Sequence, residues 1–314
     1  MEVIDIPPPF EYHSFLEETR WDALLQEDRD LQRPSSNALT LLARVSKHWN
    51  STATPILYQK IKLHTDRQIS IAASTLEHRH TNPSPWLGMS HGSFVKTLSM
   101  GNLYCITEDP SVVSKMQTVI AHSPNLQSYR TALFHNMPNL AGSINYSTRL
   151  VRNLISNGRH ITVLHLSDSK LRMPDLTSLV KGLPTLEVLI ISTMLLWEME
   201  STRARVKSCS LKSLVINEPE GAAITLGQFR SILNAIASWV LPALHSVLIH
   251  DCCYLEFALK SVAVFLAAHG GNLRRMAFRS EVKPFSDREL LLLKEQFLGF
   301  RYIGSSSSFV QFSK

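Results

Sequence analysis

Residues along this chain fall repeatedly into one mostly apolar spacing, in which a first position is followed three residues later by a second and two after that by a third. The phrase stands at Val95/Leu98/Met100, Leu126/Tyr129/Thr131, Ile161/Leu164/Leu166, Leu186/Leu189/Ile191, Leu211/Leu214/Ile216, Leu244/Val247/Ile249 and Leu273/Met276/Phe278, with a last copy at Phe297/Phe300/Tyr302. Its second and third positions lie two apart, the period of a strand with one buried face. Successive copies begin 24 to 35 residues apart, which signals a solenoid of stacked repeats.

Each phrase predicts a short strand, and the amphipathic stretch after most copies predicts a helix. The expected strands are 94–100, 125–131, 161–166, 185–191, 211–216, 244–249 and 273–278; the expected helices are 111–121, 144–156, 175–181, 226–238, 255–267 and 287–298. Several strands follow a helix-ending signature, as in Ser123-Pro124-Asn125-Leu126, Gly182-Leu183-Pro184, Leu241-Pro242-Ala243-Leu244 and Gly270-Gly271-Asn272-Leu273. Pro and Gly there stop one helix and turn the chain into the next strand.

Before the first phrase the pattern differs. Residues 1–34 are rich in Pro, Glu and Arg and predict a partly disordered arm, with one helical piece over 14–27 that puts Phe15, Leu16, Trp21, Leu24 and Leu25 on an apolar face. Residues 37–50 carry Leu39, Leu42, Val45 and Trp49 at helical spacing, with Ser35 or Ser36 as the cap. A second helix is expected from Thr52, with Pro55 in its first turn, and a strand over 58–63. The domain reading is an arm over 1–34, short helices over 35–64, an exposed connection over 65–92 that holds His78, Arg79 and His80, the solenoid over 93–304, and a flexible serine-rich tail over 305–314.

With 314 residues, 44% hydrophobic and 18% charged, the chain can bury a large core and is no disordered protein. Its formal charge of +6 raises nucleic acid as a partner, but Lys and Arg are scattered in short clusters such as Arg203/Arg205/Lys207 and Arg274/Arg275/Arg279, which argues against it. The N-terminus lacks the basic and apolar segments of a secretory signal, and the apolar stretches are too short to span a bilayer, so no membrane partner is expected. Cys105, Cys209, Cys252 and Cys253 form no disulfide framework, which places the chain in the cytoplasm or nucleus.

Chemistry is not indicated. His245, His250, Cys252 and Cys253 suggest a metal at first, but His245 and His250 would point to opposite faces of a strand. Ser167-Asp168-Ser169-Lys170 has the Ser-x-x-Lys spacing of some acyl enzymes, yet stands at a strand exit instead of on the helix that chemistry needs. No phosphate loop, dinucleotide turn, zinc helix or nucleophile elbow appears in the sequence. The expectation is a binding protein without enzymatic activity, metal or cofactor.

Two stretches carry a resemblance to a known family: Leu41-Leu42-Ala43-Arg44-Val45-Ser46-Lys47-His48-Trp49-Asn50 and Thr54-Pro55-Ile56-Leu57-Tyr58-Gln59-Lys60-Ile61. They resemble the second half of an F-box, a Val-Ser-Lys-x-Trp helix followed by a Pro-x-Leu-Tyr helix. With the Pro-Asn-Leu and Leu-Pro-x-Leu repeat openings, the chain resembles F-box proteins with irregular leucine-rich repeats. The usual first F-box helix is missing or degenerate: the nearest segment, Ile6-Pro7-Pro8-Pro9-Phe10-Glu11, is followed by no matching apolar helix. The resemblance implies an α/β fold, a leucine-rich-repeat solenoid with a curved parallel sheet, outer helices and a small F-box-like cap. It implies a substrate receptor of a cullin–RING ubiquitin ligase of the SCF type, docking a Skp-type adaptor and its cullin complex. Leu42, Val45, Trp49, Pro55, Leu57 and Tyr58 would form the surviving helices, some facing the adaptor and some packing inward. The alternative is a stand-alone repeat scaffold that does not bind the adaptor.

If the second and third phrase positions point into the core, their neighbours point to the opposite, concave sheet face. An unknown protein target would then meet Arg130, Val163, His165, Val188, Ile190, Val215, Asn217, Leu248, His250, Arg275 and Arg279, an apolar strip with basic ends suited to acidic flanks.

Overall fold

The computed structural model describes residues 44–63, 65–83, 89–101, 110–132, 144–145, 148–196, 206–217, 226–250, 255–279, 286–296, 301–306 and 309–313. Strands β1 (Lys60–Leu63), β2 (Thr97–Gly101), β3 (Ser128–Ala132), β4 (Ile144–Asn145), β5 (Val163–Arg172), β6 (Val188–Leu196), β7 (Ser213–Asn217), β8 (Ser246–His250) and β9 (Arg275–Arg279) are parallel. All but β4 lie side by side in chain order, and β4 pairs with the C-terminal half of β5. The sheet ends in the antiparallel pair β10 (Arg301–Ser306) and β11 (Phe309–Ser313).

Helices α1 (Lys47–Gln59), α2 (Asp66–Thr81), α3 (Pro110–Ala121), α4 (Thr148–Asn157), α5 (Met173–Gly182), α6 (Leu226–Ala237), α7 (Leu255–His269) and α8 (Asp287–Gln296) complete the described elements. The register aligns the middle phrase positions into one row, Leu98, Tyr129, Leu164, Leu189, Leu214, Val247 and Met276. That row is buried with helix residues such as Ile69, Leu76, Leu154, Leu176, Leu179, Ile232 and Phe265 in one continuous core. A repeat cannot bury its apolar face alone, so stacking neighbours is what stabilises each one.

The ladder starts two residues later than the phrase suggests. Leu126, Leu186 and Leu244 are buried, but their amides donate to Ser123, Leu183 and Leu241 carbonyls 3.1 to 3.2 Å away, so these first positions belong to tight turns. Just ahead of the strands runs a further rung. The amides of Lys96, Gln127, Thr162, Glu187, Lys212, His245 and Arg274 each donate to the carbonyl of the residue before it in that series, beginning at Gln59, over 2.8 to 3.0 Å. Cross-repeat ties continue at the helix ends, where His269 Nε2 donates to the Ile236 carbonyl at 3.0 Å.

Several expectations are corrected. Residues 65–92 are not simply an exposed connection, because α2 fills most of the first part and buries Ile69, Ala73 and Leu76. His80 stays exposed on α2, where it stacks on His122 with ring centroids 4.7 Å apart. The solenoid therefore begins earlier than 93, at β1, where Tyr58, Ile61 and Leu63 repeat the three-plus-two spacing and Ile61 and Leu63 register with Leu98 and Met100.

In place of a helix ending near Asn50 and a second starting near Thr52, α1 is continuous through Pro55. Its N-cap is Ser46, whose extended backbone breaks the chain away from the preceding turn and whose hydroxyl accepts from the Trp49 amide at 3.2 Å. Helix 144–156 loses its expected first turn to β4 and starts at Thr148. Finally, 305–314 is not a flexible tail: β11 inserts between β9 and β10, with Val310 beside Phe278 and Phe312 beside Met276, both buried. The last phrase, Phe297/Phe300/Tyr302, thus leads into an edge strand and not into another parallel repeat.

Candidate protein-interaction surfaces

Helix α1 uses one side for the fold. Ala53 and Thr54 are buried, Pro55, Leu57 and Tyr58 are half-buried, and Tyr58 packs on the core and stacks on His91 with ring centroids 4.6 Å apart. Burial raises the Tyr58 pKa, against the opposing pull of Arg79; burial first, and Arg79 second, lowers that of His91. The opposite side is left to solvent: Trp49 is 44% and Ile56 53% exposed, seven residues apart and so on one helical stripe, while Val45 beyond the Ser46 cap is 69% exposed. The predicted adaptor residues therefore separate into Val45 and Trp49 facing out, Pro55 and Leu57 between, and Tyr58 turned in. Ile56, absent from the sequence-based set, joins the outward stripe; its place two turns after Trp49 was the available signal. Leu42 lies outside the described residues.

The sheet face opposite the helices carries a second apolar cluster of Val188, Ile190, Val215, Leu248 and Ala277, with the half-buried Val163 against it. These are the alternate strand positions that the phrase predicts for that face. Their side chains are buried, Val215 and Ala277 completely, so the middle of the strip is not open to solvent. Arg130, on β3, is 4% exposed. It registers beside His165, which keeps part of its surface but is enclosed deeply enough that burial, and then the Arg130 charge, pushes its pKa down to about 3. Val163, His165 and Arg275 retain some accessibility. Asn217, His250 and Arg279 fall on three successive rungs in register, and their side chains lie outside the described set.

Among the described residues, no group of three or more His, Cys, Asp or Glu side chains is placed to hold a metal ion. No described helix is long and apolar enough to cross a membrane. Cys209 is an exposed free thiol.

The sequential parallel strands, the helix layer on one face and the aligned leucine row define a repeat solenoid of the leucine-rich type, an architecture that offers broad surfaces to other macromolecules. No protein-family model matches this chain, and neither does any curated protein. Among solved structures, the leucine-rich-repeat-containing protein LegL7 from Legionella pneumophila is similar over 84% of this chain and 95% of its own, at 13% identity and a TM-score of 0.31. A likeness of that size carries no weight here; the assignment rests on the strand order and the core.

Proposed function

We propose that this chain is the substrate-recognition subunit of a cullin–RING ubiquitin ligase of the SCF type, acting by binding and without chemistry of its own. In this reading α1 docks a Skp-type adaptor and the repeats hold a target protein. The observation that supports it is the outward stripe of Trp49 and Ile56, continued by Val45. A folded helix that keeps a tryptophan and an isoleucine in water on one side has apolar area to lose on association, at roughly 25 cal/mol per Å². Pro55 and Leu57 would rim that contact. Target contact falls to the accessible members of the sheet face, Val163, His165 and Arg275, with Asn217, His250 and Arg279 on neighbouring rungs; the buried Arg130, Val188, Ile190, Val215 and Leu248 would support them from beneath.

Co-expression of the full chain with a Skp-type adaptor tests this reading. Trp49→Ala and Ile56→Ala should leave the melting temperature nearly unchanged, since neither side chain is buried, yet abolish co-purification. The second reading, a stand-alone scaffold, is favoured by Tyr58 occupying a repeat position at the core in place of a docking surface. Absence of any complex with the unaltered chain would select it.

A further inference from the structure

The rung ahead of the strands is a second, separate feature of the surface. Hydrogen-bonded neighbours on it stand about one strand spacing apart, about 4.8 Å. Its side chains in order are Gln59, Lys96, Gln127, Thr162, Glu187, Lys212, His245 and Arg274. The row contains one acid, Glu187, whose Oε1 accepts from Lys212 Nζ at 2.8 Å. That contact shows that a carboxylate fits between adjacent rungs. Both partners are well exposed, so the pair is worth at most about 1 kcal/mol and leaves Lys212 able to share a second anion. On the far side of Lys212 the next two rungs carry His245, half-buried, and Arg274, exposed.

We propose that the Lys212, His245 and Arg274 row is a docking ledge for an acidic, carboxylate-rich segment of a partner protein. A carboxylate set between Lys212 and Arg274 would lie over the imidazole that separates them. In the free protein burial first, and then the Arg274 and Lys212 charges, lower the pKa of that imidazole from its ordinary value, so an incoming anion would offset those charges and favour the protonated ring. The chemistry favours a protein segment over nucleic acid. Three rungs span too little of a phosphate backbone for tight counterion-release binding, and the row holds no Phe, Tyr or Trp on which a base would stack.

The inference rests on the chain being a protein-binding scaffold, but not on which adaptor α1 takes, and its test uses no adaptor. The full chain is titrated with a labelled hexaglutamate peptide, and the His245 imidazole resonance, assigned by its loss in His245→Gln, is followed by NMR. Binding should raise the His245 pKa. The Lys212→Glu/Arg274→Glu double variant should bind about tenfold more weakly. The neutral pair Lys212→Gln/Arg274→Gln should weaken binding in the same direction, which covers a failure of the charge-reversed chain to fold. Arg230→Glu, at an exposed position on α6 off this row, should bind as the unaltered chain does. Equal affinity in the folded Gln variant, an unmoved His245 pKa, or tighter binding of a six-nucleotide single strand than of the peptide would overturn the proposal.

Discussion

Gly92 shows how little room the first repeats leave. A Cβ added there would stand 1.7 Å from the His122 carbonyl oxygen and 2.8 Å from its carbon. Neither side can easily give, since the Gly92 carbonyl accepts from the Val95 amide and the His122 amide donates to Thr118. Gly92→Ala should lower stability by about 1–3 kcal/mol, the cost of overpacking, whereas Gly271→Ala, which meets nothing within 4 Å, should stay within about 0.5 kcal/mol. Thermal melts of the two variants make the comparison. His165 governs a different response. Its folded pKa of about 3 lies below the ordinary 6.5, so the unfolded chain binds the proton more readily. Its contribution to stability is full above pH 6.5 and is lost as pH falls towards 3, at no more than about 1.4 kcal/mol per unit. Burial shifts His91, His122, His245 and His269 in the same direction, so acid sensitivity is shared. Replacing His165 with Asn should flatten the fall of melting temperature between pH 6.5 and 4 without removing it; an unchanged slope would place the sensitivity in the other histidines.

Among the elements, the two ends of the solenoid departed most from expectation, and for related reasons. A terminal repeat has a neighbour on one side only, so its sequence need not carry the full phrase. At the N-terminal end, Tyr58, Ile61 and Leu63 keep the spacing but sit inside a stretch whose Trp and Pro suggest two separate helices. At the C-terminal end, Ser305 to Ser308 dominate the composition and mask the short apolar stretch Phe309-Val310-Gln311-Phe312, too brief to stand out against them. Once folded, β11 covers Met276 and Phe278, the last members of the core rows. Phe312→Ala should therefore cost about 3–5 kcal/mol, read as a lowered denaturant midpoint; a frayed tail would lose nothing. Helix α1 adds the point that a cap is set locally. Ser46 begins it, because its own hydroxyl satisfies the Trp49 amide, while Ser35 and Ser36 lie outside the described residues.

Across the whole molecule, the repeat itself carried the architecture. Seven copies of a strand phrase, six leading into an amphipathic stretch and one directly into the next copy, admit few arrangements other than parallel strands added in order with helices on one side, and the leucine row follows from that period. The alternate face was likewise predictable, because strand side chains alternate whatever their partners are. Exposure was not. Whether Val188, Ile190, Val215 and Leu248 meet water depends on everything packed around them, and the fold buries them. The outward turn of Ile56 and the inward turn of Tyr58 came from how α1 rolls against the first repeat. Lys212, His245 and Arg274 stand about 30 residues apart in sequence and one backbone hydrogen bond apart in space. Local periodicity fixes which residues form strands and which face they share, since it acts through the backbone of each repeat. Accessibility, end-capping and the meeting of distant charges are set by long-range packing, which has no local period to announce it.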